Sequence, residues 1–263
     1  MPAGPSLIDP TMRKAFDQLQ HVFQAIHAKL PGTKVAPCVV ACDFLAAQTL
    51  MFGDGALLLA NIDLVPPAAA LTRNCIEAQA CARYIFTFPP PKRDAKAAEF
   101  LKLQDVCRAE YAERCLDKNK PRIAAVLNRF DQGQQAKMRE IVKKELAAGG
   151  GVSLKKRFRE LKHKWSFDEM VAMENLRQEL PGVKLQVIDP LLKNEYDRYS
   201  YFVHPNPVSN AFAPHIQPDH ICQTVLLSAI NAVGVLMQVV GTPSPQFNQA
   251  AEAFIARYSV KLK

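Results

Sequence analysis

The run EYDRYSYFVHPNP at residues 195–207 gathers Glu195, Arg198, Tyr196, Tyr199, Tyr201 and His204 just ahead of Pro205 and Pro207. An imidazole titrates near neutral pH and serves as a general acid or base. A guanidinium stabilises charge on phosphate oxygens. On an unbroken α-helix, Arg198 and His204 are six residues and so about 120° apart. Pro205 disfavours helical backbone at His204. A helix ending near Val203 then lets the histidine swing back toward Arg198. The plain alternative is a histidine that merely closes a helix.

A second candidate is Arg73-x-x-x-Glu77 in LTRNCIEAQACARYIF. The four-residue spacing stacks the two side chains, in the order that is less favourable for an isolated helix. The stretch is apolar, and a buried ion pair needs further partners to offset its desolvation. Arg73 and Glu77 are therefore expected to face a polar pocket or another helix, an ordinary structural pair being the alternative.

The third feature is charge. Residues 137–164 hold ten Lys/Arg and three Glu, so this segment carries +7 of the chain's +8. Its core is a helix-like stretch with Lys155, Lys156, Arg157, Arg159, Lys162 and Lys164 set against an apolar stripe of Leu154, Phe158, Leu161 and Trp165. Such cations repel one another and gain by meeting phosphates, whose counterions are released. The expectation is an anionic partner, nucleic acid being one such. An anionic membrane face, an acidic protein and a merely solvated surface stay open.

Metal and cofactor sites are not expected. Glu160-x-x-His163 occurs once where a di-iron bundle needs two copies. His215 and His220 flank Pro218, and no zinc-ligand spacing is present. Gly149-Gly150-Gly151 followed by Ser153, Lys155 and Lys156 lacks the phosphate-loop spacing and reads as a linker. The seven cysteines form no C-x-x-C pair and lie among apolar residues, as reduced core cysteines of a cytoplasmic protein do. MPAGPSLIDPTMRK shows no secretory signal.

The elements that must position these groups are helical. Asp9-Pro10 opens a helix that Pro31-Gly32 ends, with Met12, Phe16, Leu19, Phe23, Ile26 and Leu30 at helical spacing. Helices follow at 38–52, broken by Gly53 and Gly55, and at 56–64. Another starts at Pro66-Pro67 and runs to Phe88. The next spans 94–117, with Phe100, Leu103, Val106 and Tyr111 as its buried stripe. Then come Pro121 to Ala147, the basic helix, and a helix opened by a Ser166–Glu169 capping box and ended by Pro181-Gly182. The rest are 189–203, a long helix capped by Asp219, and 245–258. VKLQVI at 183–188 is the one strand-like stretch. Ile221–Val240 has no charge and the length of a membrane span. However, Thr224, Ser228, Asn231 and Gln238 share a helical face, which favours a core helix and no span. The expectation is an all-α bundle of roughly eight to ten helices, with residues 1–9 as a tail and 10–263 as one domain.

Arg73-x-x-x-Glu77 followed by Y-x-x-x-S-x-x-V-H (Tyr196, Ser200, Val203, His204) resembles a bacterial all-helical family labelled as a domain of unknown function, over residues 40–240 in outline. That family is similar to the HEPN group of helical domains. Many HEPN members are metal-independent ribonucleases in which an arginine precedes a histidine by four to six intervening residues, a spacing that Arg198 and His204 fit. Tyr199 stands where those nucleases carry a small polar residue. The resemblance implies attack by the RNA 2′-hydroxyl with His204 as acid or base and Arg198 on the phosphate. It further implies Glu77 or Glu195 as orienting groups, base stacking on Tyr199 or Tyr201, and a homodimer. The functional expectation is RNA or nucleotide binding through Arg73, Glu77, Arg198 and His204 beside the basic helix. A metal-independent endoribonuclease and a non-catalytic interaction module are the alternatives.

Overall fold

The computed structural model describes residues 7–30, 35–116, 131–171, 190–200, 202–203 and 216–258. These residues form an all-helical packed bundle: α1 (Pro10–His27), α2 (Pro37–Asn61), α3 (Val65–Thr87), α4 (Pro90–Leu116), α5 (Gln132–Ala148), α6 (Leu154–Lys164), α7 (Phe167–Val171), α8 (Pro190–Ser200), α9 (Pro218–Val240) and α10 (Pro245–Tyr258). VKLQVI, the expected helix start at Pro121 and the Pro181-Gly182 stop lie outside the described residues.

The centre is α2, α3 and α9 packed on one another. Around it, α1 lies on α9 and α10, α4 on α2, α5 and α6, and α7 and α8 on α3. Helix α3 is buried nearly all round, which leaves its few polar side chains to find partners on neighbouring helices. Both α2 and α9 are long and apolar enough for a membrane span by length and composition. In the bundle they supply core: Thr224 and Ser228 are buried, and Asn231 accepts a hydrogen bond from Arg83. All seven cysteines are free, and six are buried.

Several local expectations are corrected. Gly53 and Gly55 do not break α2, which runs unbroken through both. A Cβ on Gly53 would lie 2.9 Å from the Phe16 ring and from Val225, and one on Gly55 would lie 2.9 Å from Leu71. These glycines admit α1, α9 and α3 at close range; their entropic cost is offset by the packing they allow. Tyr111 is exposed, whereas Phe100, Leu103 and Val106 are buried. With α2, α3, α5 and α6 all packed on α4, no single stripe serves its whole length. Asp219 is not the cap of α9, because Gln217 occupies that position. Asp219 instead accepts from the Tyr258 hydroxyl at 3.2 Å and pairs with Arg257 at 3.6 Å, tying α10 to α9. The start of α5 is set by an Asp131–Gln134 capping box. Leu7 bonds through its amide to Asn61 and Ile8 is buried, so part of the expected tail packs on the bundle.

Candidate functional site

Helix α8 presents Tyr196 and Ser200, one turn apart on one face, to Arg73 and Glu77 of α3. Arg73 donates from Nε to Ser200 Oγ (3.0 Å) and from Nη2 to the Tyr196 hydroxyl (2.7 Å). The same Nη2 is 2.9 Å from Glu77 Oε1, and the Tyr196 hydroxyl donates to that oxygen at 2.8 Å. Arg73, Tyr196 and Glu77 thus close a three-membered ring of polar contacts, and Ser200 is held in turn by the Tyr196 carbonyl at 2.7 Å. The unfavourable order of the i, i+4 pair is compensated by partners more than a hundred residues away.

Aromatic groups fix this ring. Phe167 of α7 stacks on Tyr196 with centroids 3.6 Å apart and planes 17° apart. The Arg73 Cζ lies 4.7 Å from the Tyr196 centroid, within cation–π range. Burial first, then the Glu77 carboxylate and its hydrogen bond, push the Tyr196 hydroxyl above its ordinary pKa. It is therefore a fixed donor at neutral pH.

The ring borders a cleft of about 460 Å³ between α2, α3, α4, α6, α7 and α8. Its walls include the aromatic rings of Phe100, Trp165, Phe167 and Tyr196, and the amides of Gln48, Asn74 and Gln104. The charged groups on it are Arg73, Lys162, Glu77 and Asp168, which balance. Glu77 has a side chain 37% exposed, so it meets the cleft as well as Arg73. Cys81 also lines it, but burial pushes that thiol up to about 12, which keeps it protonated and a poor nucleophile. The cleft is thus charge-balanced, with walls of largely buried aromatic rings and of amides that can donate and accept hydrogen bonds.

One cation on the wall belongs to the basic helix. Lys162 of α6 lines the cleft, and on the same helix Lys155, Lys156, Arg159 and Lys164 are exposed. Lys155, Lys156, Arg159 and Lys162 fall within an arc of about 120° at 100° per residue. The apolar stripe docks as expected, with Leu154 and Trp165 buried and Phe158 and Leu161 half-buried against the core. Trp165 donates to Glu99 at 3.2 Å and stands edge-on to Phe100 and Tyr84.

Arg157 corrects the expectation for this helix. It is buried, with Nη2 3.0 Å from Glu145 Oε2, and it also donates to the Glu145 carbonyl. That position caps the end of α5 and leaves nothing for a ligand. The Gly149–Gly151 turn makes room: a Cβ on Gly149 would lie 2.7 Å from Arg157 Nη1.

Two further expected groups, Arg198 and Tyr199, are not among the residues that line the cleft. Arg198 is about 200° round α8 from Tyr196, lies 3.5 Å from Glu195 and is not among the lining residues. Tyr199 is fully buried with its hydroxyl 3.4 Å from Thr224, so it offers no face for a base. His204 and Tyr201 lie outside the described residues. Trp165 was legible only as part of an apolar stripe, and Asn74, Phe167 and Asp168 carried no sequence signal. Tyr196 and Ser200 were visible in the motif through their four-residue spacing. Among the described residues, no three His, Cys, Asp or Glu side chains gather as a metal site.

No protein-family model, curated protein or solved structure matches this chain.

Proposed function

We propose that the protein binds single-stranded RNA, with one base in the Arg73–Glu77–Tyr196 cleft and the adjoining phosphates on the exposed cations of α6. The observation that carries this reading is Lys162, which lines the cleft and belongs to the basic face. A charge-balanced cleft with amide donors and acceptors and apolar aromatic walls suits a nucleobase, and a row of lysines and arginine beside it suits the phosphates that the base brings along. Lys155, Arg159 and Lys162 are spaced about 6 and 4.5 Å along the axis at 1.5 Å per residue, compatible with successive phosphates of a single strand.

Fluorescence anisotropy with a labelled single-stranded RNA of mixed sequence tests it. Affinity is expected to fall with salt by about 0.7 logarithmic units per decade for each phosphate neutralised. Lys155→Glu/Arg159→Glu should flatten that slope, and Arg73→Ala should weaken binding at every salt concentration. Binding that ignores both changes, or no binding at low salt, sinks the proposal. The same incubation tests the endoribonuclease alternative built on His204, Arg198, Glu77 and Arg73. Cutting that survives a chelator and vanishes in His204→Ala supports an enzyme, and intact RNA leaves a binding module.

A further inference from the structure

The Arg73–Glu77–Tyr196 ring uses only one oxygen of its carboxylate. Glu77 Oε1 takes both contacts, from Arg73 Nη2 at 2.9 Å and from the Tyr196 hydroxyl at 2.8 Å. Oε2 has no hydrogen-bond partner among the described residues. Arg73 spends Nε on Ser200 and Nη2 on Tyr196 and Glu77. The ring therefore holds a partly exposed carboxylate in place on the cleft wall without covering it.

Asp168 is the other carboxylate among the lining residues. It is exposed, and it makes no ion pair or side-chain hydrogen bond among the described residues. It directly follows Phe167, whose ring stacks on Tyr196, and Tyr196 bonds Glu77. Both carboxylates thus belong to the wall around Tyr196. Lys162, the cation across from them, lies on the face assigned to phosphates. The amides of Gln48, Asn74 and Gln104 on the same cleft are likewise without side-chain hydrogen bonds among the described residues.

An ionised carboxylate accepts hydrogen bonds and cannot donate. The base edge it selects must offer donors and keep acceptors away. Guanine alone among the four bases has two adjacent donors, N1–H and N2–H2, with no acceptor between them. Adenine and cytosine place a ring-nitrogen acceptor beside their amino group. Uracil has a single N–H flanked by two carbonyls. An acceptor turned toward Glu77 is repelled and left unpaired, which costs more than a missing bond. We propose that the base held in the cleft is guanine, with N1–H and N2–H2 donating to Glu77 Oε2 and O6 accepting from a cleft amide. This assignment rests on the RNA-binding reading and adds to it the base that the site selects.

Fluorescence anisotropy with short labelled oligouridines that differ only in the central residue tests it. The central residues are guanosine, adenosine, cytidine, uridine and 1-methylguanosine. The guanosine strand should bind at least about tenfold more tightly than the adenosine, cytidine and uridine strands, the ratio expected for a hydrogen bond to a charged group. In 1-methylguanosine a methyl group replaces the N1 proton, and its affinity should fall to that of uridine. Glu77→Gln keeps an oxygen for Arg73 and Tyr196 and turns an NH2 toward the cleft in place of Oε2, so guanosine should lose its advantage. Thermal melts report folding of the variant. If Glu77→Gln does not fold, the 1-methylguanosine strand on the unaltered protein decides the matter. Equal, salt-dependent binding of all strands overturns the guanine assignment and leaves RNA binding standing, whereas no binding of any strand at low salt removes both. The assignment is also overturned by a preference for another base, by a guanosine preference that survives in folded Glu77→Gln, or by 1-methylguanosine binding as tightly as guanosine.

Discussion

Two arginine–glutamate pairs have nearly the same length and opposite surroundings. Arg157 and Glu145 are 3.0 Å apart with side chains 9% and 11% exposed, sealed between α5 and α6. Arg73 and Glu77 are 2.9 Å apart with side chains 20% and 37% exposed, and both line a cleft. The first pair closes a helix end and a glycine turn, and its hydrogen bonds are used up within the fold. The second is held by a tyrosine and a serine but keeps one edge toward open space. The distance between charges therefore does not separate a structural pair from a site. What separates them is whether a cavity borders the pair and whether its exposed groups continue into a wider charged surface.

The largest effect should come from the sealed pair. Arg157→Met leaves Glu145 as a buried charge without its partner and is expected to cost about 3–5 kcal/mol of stability, read from urea unfolding. RNA affinity at a temperature where the variant remains folded should change little. Arg157→Met/Glu145→Leu should recover most of the loss, because a well-packed apolar pair often matches a buried ion pair. A double variant as unstable as the single one breaks the comparison.

Arg73→Met should give the reverse profile. The pair is partly solvated, so the stability cost is expected at about 1–2 kcal/mol, reduced from that of a buried charged hydrogen bond. RNA affinity should fall at least about tenfold, equivalent to about 1.4 kcal/mol. A variant that loses stability like Arg157→Met while keeping its affinity would place Arg73 in the same structural class and remove the distinction.

How much of this was legible in the sequence follows the range of each interaction. Helical class was readable because apolar periodicity is local. The pairing of Arg73 with Glu77 was readable because four residues is one turn. Arg157 looked like any other cation of its stretch, since its fate depends on Glu145 across a glycine turn. Gly53 and Gly55 resembled breakers because the side chains that need their space, Phe16, Val225 and Leu71, are distant in sequence. Tyr199 resembled Tyr196, and one step of 300° sends its ring into the core toward α9 instead of the cleft. Trp165 was read as part of an apolar stripe, and it is buried, but it also walls the cleft beside Phe167, which no sequence pattern singled out.

The smallest effect tests whether the Arg73 ring is held as described. Tyr196→Phe removes one hydroxyl that accepts from Arg73 and donates to Glu77, while Phe167 keeps its stacking partner. Because the arginine and the carboxylate still meet, the expected cost near neutral pH is about 1 kcal/mol. The pH dependence identifies the group. The Tyr196 pKa is raised in the folded protein, by burial first and by Glu77 second, so the folded state holds its proton where the unfolded chain, with a pKa of about 10, has released it. The contribution is therefore fully present below pH ~10 and is lost as pH rises through the raised folded-state value. Tyr199 and Tyr258 are shifted in the same direction, so the alkaline decline of the unaltered protein is not Tyr196's alone. The difference between the unaltered protein and Tyr196→Phe is specific to it. Urea midpoints at pH 8 and at two values above 10 should show that difference shrinking with pH, and a difference that stays constant means the hydroxyl does not sit between the guanidinium and the carboxylate.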